Sequence, residues 1–253
     1  MRAQGQGRGW AREELLVVCG LYFSLPFGQM HARNPRVKEM ARLLGRSAGS
    51  VAMKLVNLAS LDPAHQQRGV KGLRGASQAD AAMWREFEEN WAAMVVRSEE
   101  KREELEGLTA GLETQPAIEA TEGLRFRKVR LMQAFFRRSV LAAYGAACCM
   151  TGTTVEELLV ASHILPWARF PDRRVDPRNG LCLAAHYDRA FDRGLITFDG
   201  ELRLTLSAEL RRCRGDGFIA QEFVRREGMP MRVPERFAPD REYLAYHRAS
   251  VFR

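Results

Sequence analysis

The sequence predicts an α+β fold: an all-helical N-terminal part, then a C-terminal half that mixes short strands with helices. Three observations predict it. Between residues 10 and 108, apolar side chains recur three and four residues apart, and the stretches open on capping residues. Beyond residue 150 the apolar runs shorten to strand length, and one pair of runs flanks the turn dipeptide Asp199-Gly200. Between these regions, residues 109–123 carry Gly111, Pro116 and Gly123, the composition of a linker.

The elements follow in order. Leu15, Leu16, Cys19 and Tyr22 predict an amphipathic helix over 10–23, broken by Leu25-Pro26-Phe27-Gly28. Asn34-Pro35 supplies a cap and a first-turn proline for a second helix carrying Val37, Met40, Ala41, Leu43 and Leu44, and Gly45 ends it. Ser47 caps a third with Val51, Leu55 and Leu58. Arg68-Gly69-Val70-Lys71-Gly72-Leu73-Arg74-Gly75 is either a phosphate-binding loop or a plain connection. Residues 77–108 form one long helix or two shorter ones, with Ser77 as cap, Trp84, Phe87 and Trp91 as apolar stripe and an acidic run at 99–104. A basic helix spans 125–144, with Arg125, Arg127, Lys128, Arg130, Arg137 and Arg138 against an apolar side of Phe126, Leu131, Phe135, Val140 and Tyr144. Strands are expected at 158–163 and 181–185, a short helix at 187–193, a hairpin of 195–198 with 202–206, and a closing helix near 239–248. The expected divisions are 1–75, 76–123 and 124–253.

Of the 253 residues, 46% are hydrophobic and 28% charged, a globular composition. No run approaches the ~20 apolar residues of a membrane span, and the start of the chain lacks the apolar stretch of a secretory signal. A cytoplasmic protein without membrane contact is expected. The five cysteines lack a framework spacing and suit reduced thiols. The net charge is +8, but unevenly spread: residues 1–74 hold twelve Lys/Arg against four Asp/Glu, 75–123 four against twelve, and 124–253 twenty-three against fifteen. Basic surfaces collect polyphosphates, so the charge leaves two readings open, a nucleic-acid partner or a generically basic, Arg-rich composition.

Three segments carry candidate chemistry. Ser162-His163-Ile164-Leu165-Pro166-Trp167 holds a histidine in a strand. Asn179-Gly180-Leu181-Cys182-Leu183 opens a second strand on an asparagine. His186-Tyr187-Asp188-Arg189-Ala190-Phe191-Asp192 sets two acids one helical turn apart. A neutral imidazole removes a proton from water well near pH 7, and carboxylate oxygens suit a hard cation. In this order and spacing the segments resemble an HNH endonuclease core, the ββα-metal family. The resemblance implies phosphodiester hydrolysis with His163 as general base and one divalent metal, Mg²⁺ or Mn²⁺, at Asp188, with Asp192 or His186 in support. It implies that Asn179 ties the loop and orients the histidine. Ser162 departs from the family, which usually has an acid or second histidine there. Many members also carry two Cys-x-x-Cys pairs for zinc. Here Cys149 stands where the first would begin and position 152 is Gly, so no structural zinc is expected; a subgroup reads Cys-x-Thr-Gly, then Ser-His-Ile-x-Pro-Trp, in the same way.

The first three helices resemble a helix-turn-helix or Myb-like unit, through Trp-x-x-Glu-Glu-Leu, Met-Ala-Arg-Leu-Leu-Gly-Arg-Ser and Ser-Val-x-x-Lys-Leu. That resemblance implies DNA contacts from Arg46, Ser47, Ser50 and Lys54; Arg137 and Arg138 are further candidates. Similar chains are often restriction or anti-phage defence nucleases. Rival readings stay open: a non-catalytic DNA-binding protein on a decayed HNH fold, an effector awaiting an activating partner protein, a homodimer through the acidic helix, or a ribonuclease.

Overall fold

Helices of the N-terminal part begin where a side chain satisfies the free N–H groups of the first turn. The computed structural model describes residues 8–67, 75–107 and 117–253, with side chains from 123 onward in the last stretch; the basic glycine-rich loop at 68–74 and linker residues 109–116 lie outside the described residues. Helix α1 (Arg12–Phe23) opens with Glu14 accepting from the Ala11 amide at 2.8 Å. α2 (Pro35–Leu43) is capped by Asn34, and Gly45 ends it at φ +60°. Ser47 caps α3 (Ala48–Ala59), and the short α4 (Pro63–Gln67) follows. Ser77 and Asp80 cap α5 (Gln78–Glu89) reciprocally, and Asn90 breaks the chain before α6 (Trp91–Leu105), so residues 77–108 form two helices. α7 (Ala117–Ala143) already includes 117–123, which the sequence assigned to the linker.

The chain divides into two units, Met1–Ser139 and Val140–Arg253. At the centre of the first, α1 packs against α3, α5 and α6, and every residue from Glu14 to Phe23 is buried. The expected amphipathic helix therefore has almost no polar face: Val17, Val18, Leu21 and Phe23 fill the positions outside the apolar stripe. Gly20 lets α6 approach, since Ser98 Oγ donates to the Leu16 carbonyl at 3.2 Å across the space a Cβ would occupy. The division falls after Ser139 instead of residue 123 because α5 and α6 pack on α1, and Arg127 and Arg138 of α7 pair with Glu103 and Glu99 of α6.

Ion pairs inside this unit correct the expected DNA surface. The Arg46 guanidinium meets Glu14 at 2.8 Å and lies 4.0 Å from the Trp10 ring centre, with its side chain 2% exposed. Burial pushes the Glu14 carboxyl up, but hydrogen bonds from Arg46, the Ala11 amide and Arg8 outweigh it and hold its pKa at about 2. Lys54 Nζ sits 2.9 Å from both oxygens of the buried Asp80 carboxylate. Neither cation reaches solvent phosphates. Ser47 is occupied as the cap of α3, and Ser50 is half-buried beside it. Arg138 is held on Glu99 at 2.6 Å, and Arg137 is half-buried. With Lys54 enclosed, α3 offers no exposed cation.

In the second unit, β1 (Leu159–His163) and β2 (Gly180–Ala184) pair antiparallel, with Leu159 opposite Ala184 and His163 opposite Gly180. α8 (Ala185–Asp192) follows β2 directly and packs on both strands, burying Tyr187 and Phe191. β3 (Ile196–Phe198) and β4 (Leu204–Leu206) form a second antiparallel pair. Their turn is longer than a two-residue hairpin loop: Asp199 Oδ1 accepts from the amides of Glu201 and Arg203, and Leu202 adopts φ +62°. Two short helices, α9 (Ala208–Arg212) and α10 (Gly217–Glu222), precede α11 (Arg241–Ser250), which is capped by Asp240 and packs on β3. Gly194, at φ +67°, ends α8 against the Val251 carbonyl, where no side chain would fit. Among the described residues no helix is long and apolar enough to cross a membrane.

Candidate active site

His163 closes β1, and the loop that follows is fastened by Asn179 at the start of β2. Asn179 is 1% exposed. Its Oδ1 accepts from the Leu165 amide at 2.8 Å, its Nδ2 donates to the Arg173 carbonyl at 3.0 Å, and its own carbonyl accepts from the Ile164 amide at 2.9 Å. Two of these bonds join the ends of loop 164–179, and the third ties its interior at Arg173. The loop returns to the histidine at Arg174, whose carbonyl lies 2.9 Å from His163 Nε2. A carbonyl only accepts, so Nε2 carries the hydrogen and the neutral ring has its lone pair on Nδ1. Burial lowers the His163 pKa, and the Arg174 carbonyl opposes that shift without reversing it. The imidazole is therefore a neutral base near pH 7.

Six side chains that matter line one cavity of about 420 Å³: Ser162, His163 and Trp167 from β1 and its loop, Asp188 and Asp192 from α8, and His247 from α11. The two aspartates are four residues apart on one helix face. Asp188 is half-buried, and burial raises its pKa against smaller opposing effects of Ser162 and Arg189. Asp192 stands exposed on the rim; burial of its carboxylate and the neighbouring Asp188 charge raise its pKa, and Arg189 and Arg193 oppose them. The Ser162 hydroxyl is buried. It lies near enough to Asp188 to favour the charged carboxylate, yet it meets no partner at hydrogen-bond geometry. A buried polar atom left this way costs stability unless a ligand or water satisfies it.

His247 was not singled out from sequence. Its Nε2 donates to the Phe191 carbonyl at 3.1 Å and its Nδ1 accepts from Thr197 Oγ1 at 2.9 Å, with the ring stacked 3.7 Å from Phe191. Burial holds its pKa at about 4. Both nitrogens are engaged, so His247 walls the cavity and is no rival base. No motif announces it; only its position on an apolar helix face could have drawn notice.

His186 is a correction. It precedes Asp188 by two residues, about 200° around a helix, and does not line the cavity. Its Nε2 is 3.7 Å from Glu222, and its ring packs with Tyr187, Phe218 and Phe223. It is not gathered with Asp188 and Asp192. Among the described residues no three His, Cys, Asp or Glu side chains converge as a metal group. The turn before β1 is closed at Cys148, one residue earlier than Cys149, on which the sequence comparison centred: Cys148 Sγ accepts from the amides of Met150, Thr151 and Ala184 at 3.2–3.4 Å.

Residues 148–199 match a family model described as HNH endonuclease. The matched stretch begins at Cys148, contains β1, the Asn179 loop, β2 and α8, and ends at Asp199 in the β3–β4 turn. It includes His163, Asp188 and Asp192 and leaves the helical unit outside. No curated protein matches the chain. The match supports nuclease activity on a nucleic-acid substrate.

Proposed function

We propose that this chain is a metal-dependent DNA endonuclease that hydrolyses phosphodiester bonds from the cavity between β1, α8 and α11. The observation that carries the reading is the meeting of His163, Asp188, Asp192 and the unpartnered Ser162 hydroxyl on one cavity, inside the stretch that matches HNH endonucleases. The order of β1, β2 and α8, with the helix packed on both strands, supports the ββα-metal reading.

The donor set fits a hard divalent ion. Asp188 and Asp192 offer carboxylate oxygens, Ser162 offers a neutral one that lacks any other partner, and Mg²⁺ or Mn²⁺ keeps several waters of its own. When bound, such an ion supplies Lewis-acid stabilisation of the charge that develops on the scissile phosphate. His163 takes the proton of the attacking water on Nδ1, and the resulting imidazolium keeps its Nε2–H on the Arg174 carbonyl. Asn179 acts as a positioning residue, because it fastens the loop that carries Arg174. Restriction or anti-phage defence is the biological role we propose, on the sequence resemblance alone.

One observation favours a non-catalytic DNA-binding protein instead: only two acids face the cavity, and among the described residues no three His, Cys, Asp or Glu side chains gather as a metal group. Incubating the full chain with supercoiled plasmid and each divalent ion, with and without chelator, separates the two. Chelator-sensitive nicking supports the enzyme; binding without nicking under every ion, alone or with a cell extract supplying a partner, removes it.

A further inference from the structure

We infer that the outer face of α7 is a docking surface for the phosphate backbone of duplex DNA, gripped by Arg125, Lys128 and Arg130 with Phe126 as its apolar contact. From Leu124 to Val155 the chain carries six cations and no Asp or Glu. The structure sorts these cations. Arg127 and Arg138 turn inward to Glu103 and Glu99 of α6, and Arg137 is half-buried. Arg125, Lys128 and Arg130 are exposed, and no ion pair among the described residues involves them.

Helical spacing explains the sorting. Arg127, Leu131, Phe135 and Arg138 recur three or four residues apart and form the packed seam, with Leu131 and Phe135 buried. Arg125, Phe126 and Arg130 lie toward the other side of the same helix, and Lys128, three residues from Arg125, flanks them at the edge nearer the seam, so the exposed cations span about half of the helix circumference. There the Phe126 ring is 72% exposed and Leu124 50%. Single exposed apolar residues are ordinary. A bare phenyl between cations that have no ion pair among the described residues is a different combination: the cations repel one another until a polyanion neutralises them, and the ring offers an apolar contact to sugars and bases. An anionic lipid surface would need a broad apolar face to bury in the headgroup region, and among the described residues of α7 the exposed large apolar side chains are Leu124 and Phe126 alone. This surface takes the place of the one the sequence assigned to Arg46, Lys54 and Arg138, all of which are held in ion pairs.

That the polyanion is DNA rests on the proposed nuclease reading, but binding can be measured without cleavage. Fluorescence anisotropy of a labelled duplex of about 25 base pairs, titrated with the full chain in chelator between about 50 and 200 mM salt, gives affinity and salt slope. The triple variant Arg125→Gln, Lys128→Gln, Arg130→Gln should lose on the order of 10²-fold in affinity at about 0.1 M salt. Its slope should shrink by about 2 to 3, since each lost phosphate contact removes about 0.9. Phe126→Ala should lose roughly fivefold or more with an unchanged slope, because a phenyl ring releases no counterions. Both variants should keep the parental melting temperature, as these side chains are exposed. Parental affinity and slope in the triple variant would overturn the inference, as would α7-dependent binding to phosphatidylserine vesicles in preference to the duplex. A chain that binds through α7 but never cuts leaves this surface standing and removes the nuclease reading. A chain that cuts through His163 while the triple variant binds normally does the reverse.

Discussion

Lys54 and Asp80 meet at 2.9 Å in the helical unit, and Arg46 closes on Glu14 at 2.8 Å; all four side chains are enclosed and satisfied. In the C-terminal unit Asp188 and Asp192 stand on a cavity with no ion pair among the described residues, and the buried Ser162 hydroxyl beside them has no partner. The first arrangement is complete without a ligand. The second is not, and unsatisfied polar groups gathered with a base are what a functional site looks like before its ligand arrives. Charge in the helical interior therefore reads as architecture, whereas charge on the cavity reads as chemistry.

The largest expected effect breaks the second half of this contrast. Asp188→Asn keeps shape and removes charge. It should lower metal-dependent cleavage by about 10³-fold or more, because several kcal/mol of transition-state stabilisation depends on the ion, and weaken divalent-ion binding in calorimetry. Asp192→Asn, on the exposed rim, should lose less. Equal and small losses from both would place the ion away from α8.

The helical interior is tested by stability. Lys54→Met leaves the Asp80 carboxylate buried without its cation and should cost about 3 to 5 kcal/mol in urea titration. Arg46→Met should cost less, since Arg8 still reaches Glu14 at 2.6 Å. If either variant instead kept its stability and lost DNA affinity, the enclosed ion pairs would be misread.

How much of this was legible in the sequence depended on how local the cause was. Asn34, Ser47 and Ser77 mark their helices because a cap acts within three residues. The His163, Asn179 and Asp188 segments were legible because spacing along two strands and one helix fixes which elements can meet. The burial of Arg46 was not, as its partner Glu14 lies 32 residues earlier and the periodicity of α3 says nothing of it. Lys54 has the same history with Asp80, 26 residues on. His186 was misplaced because proximity in sequence to Asp188 hid about half a turn of the helix. His247 belongs to a C-terminal helix with no motif, and only the fold brings it to the cavity.

The pH dependence sharpens the contrast between the two cavity histidines. Burial holds His247 at about 4, below its ordinary 6.5. The unfolded chain then binds a proton that the folded one does not, so stability is fully present above about 6.5 and falls as pH drops toward about 4, by roughly 3 kcal/mol. Urea midpoints across that window should show the loss, and His247→Asn should flatten it. The His163 pKa is also lowered, so the acid limb of kcat/KM should lie below about 6.5 unless metal binding to the aspartates, whose pKa values are raised, limits the rate there; varying the ion concentration distinguishes the two. The smallest effect is expected from His186→Ala, which should leave metal affinity and cleavage within about twofold, as it faces Glu222 instead of the cavity.

The central claim is that the cavity of the C-terminal unit performs catalysis, with His163 as its base. The most direct test compares the parent and His163→Ala in one metal-dependent plasmid-cleavage assay, with DNA affinity and melting temperature measured on the same preparations. Cleavage by the variant should fall by at least about 10²-fold while affinity and melting temperature stay near parental. A folded His163→Ala protein that binds and cuts at the parental rate would contradict the account.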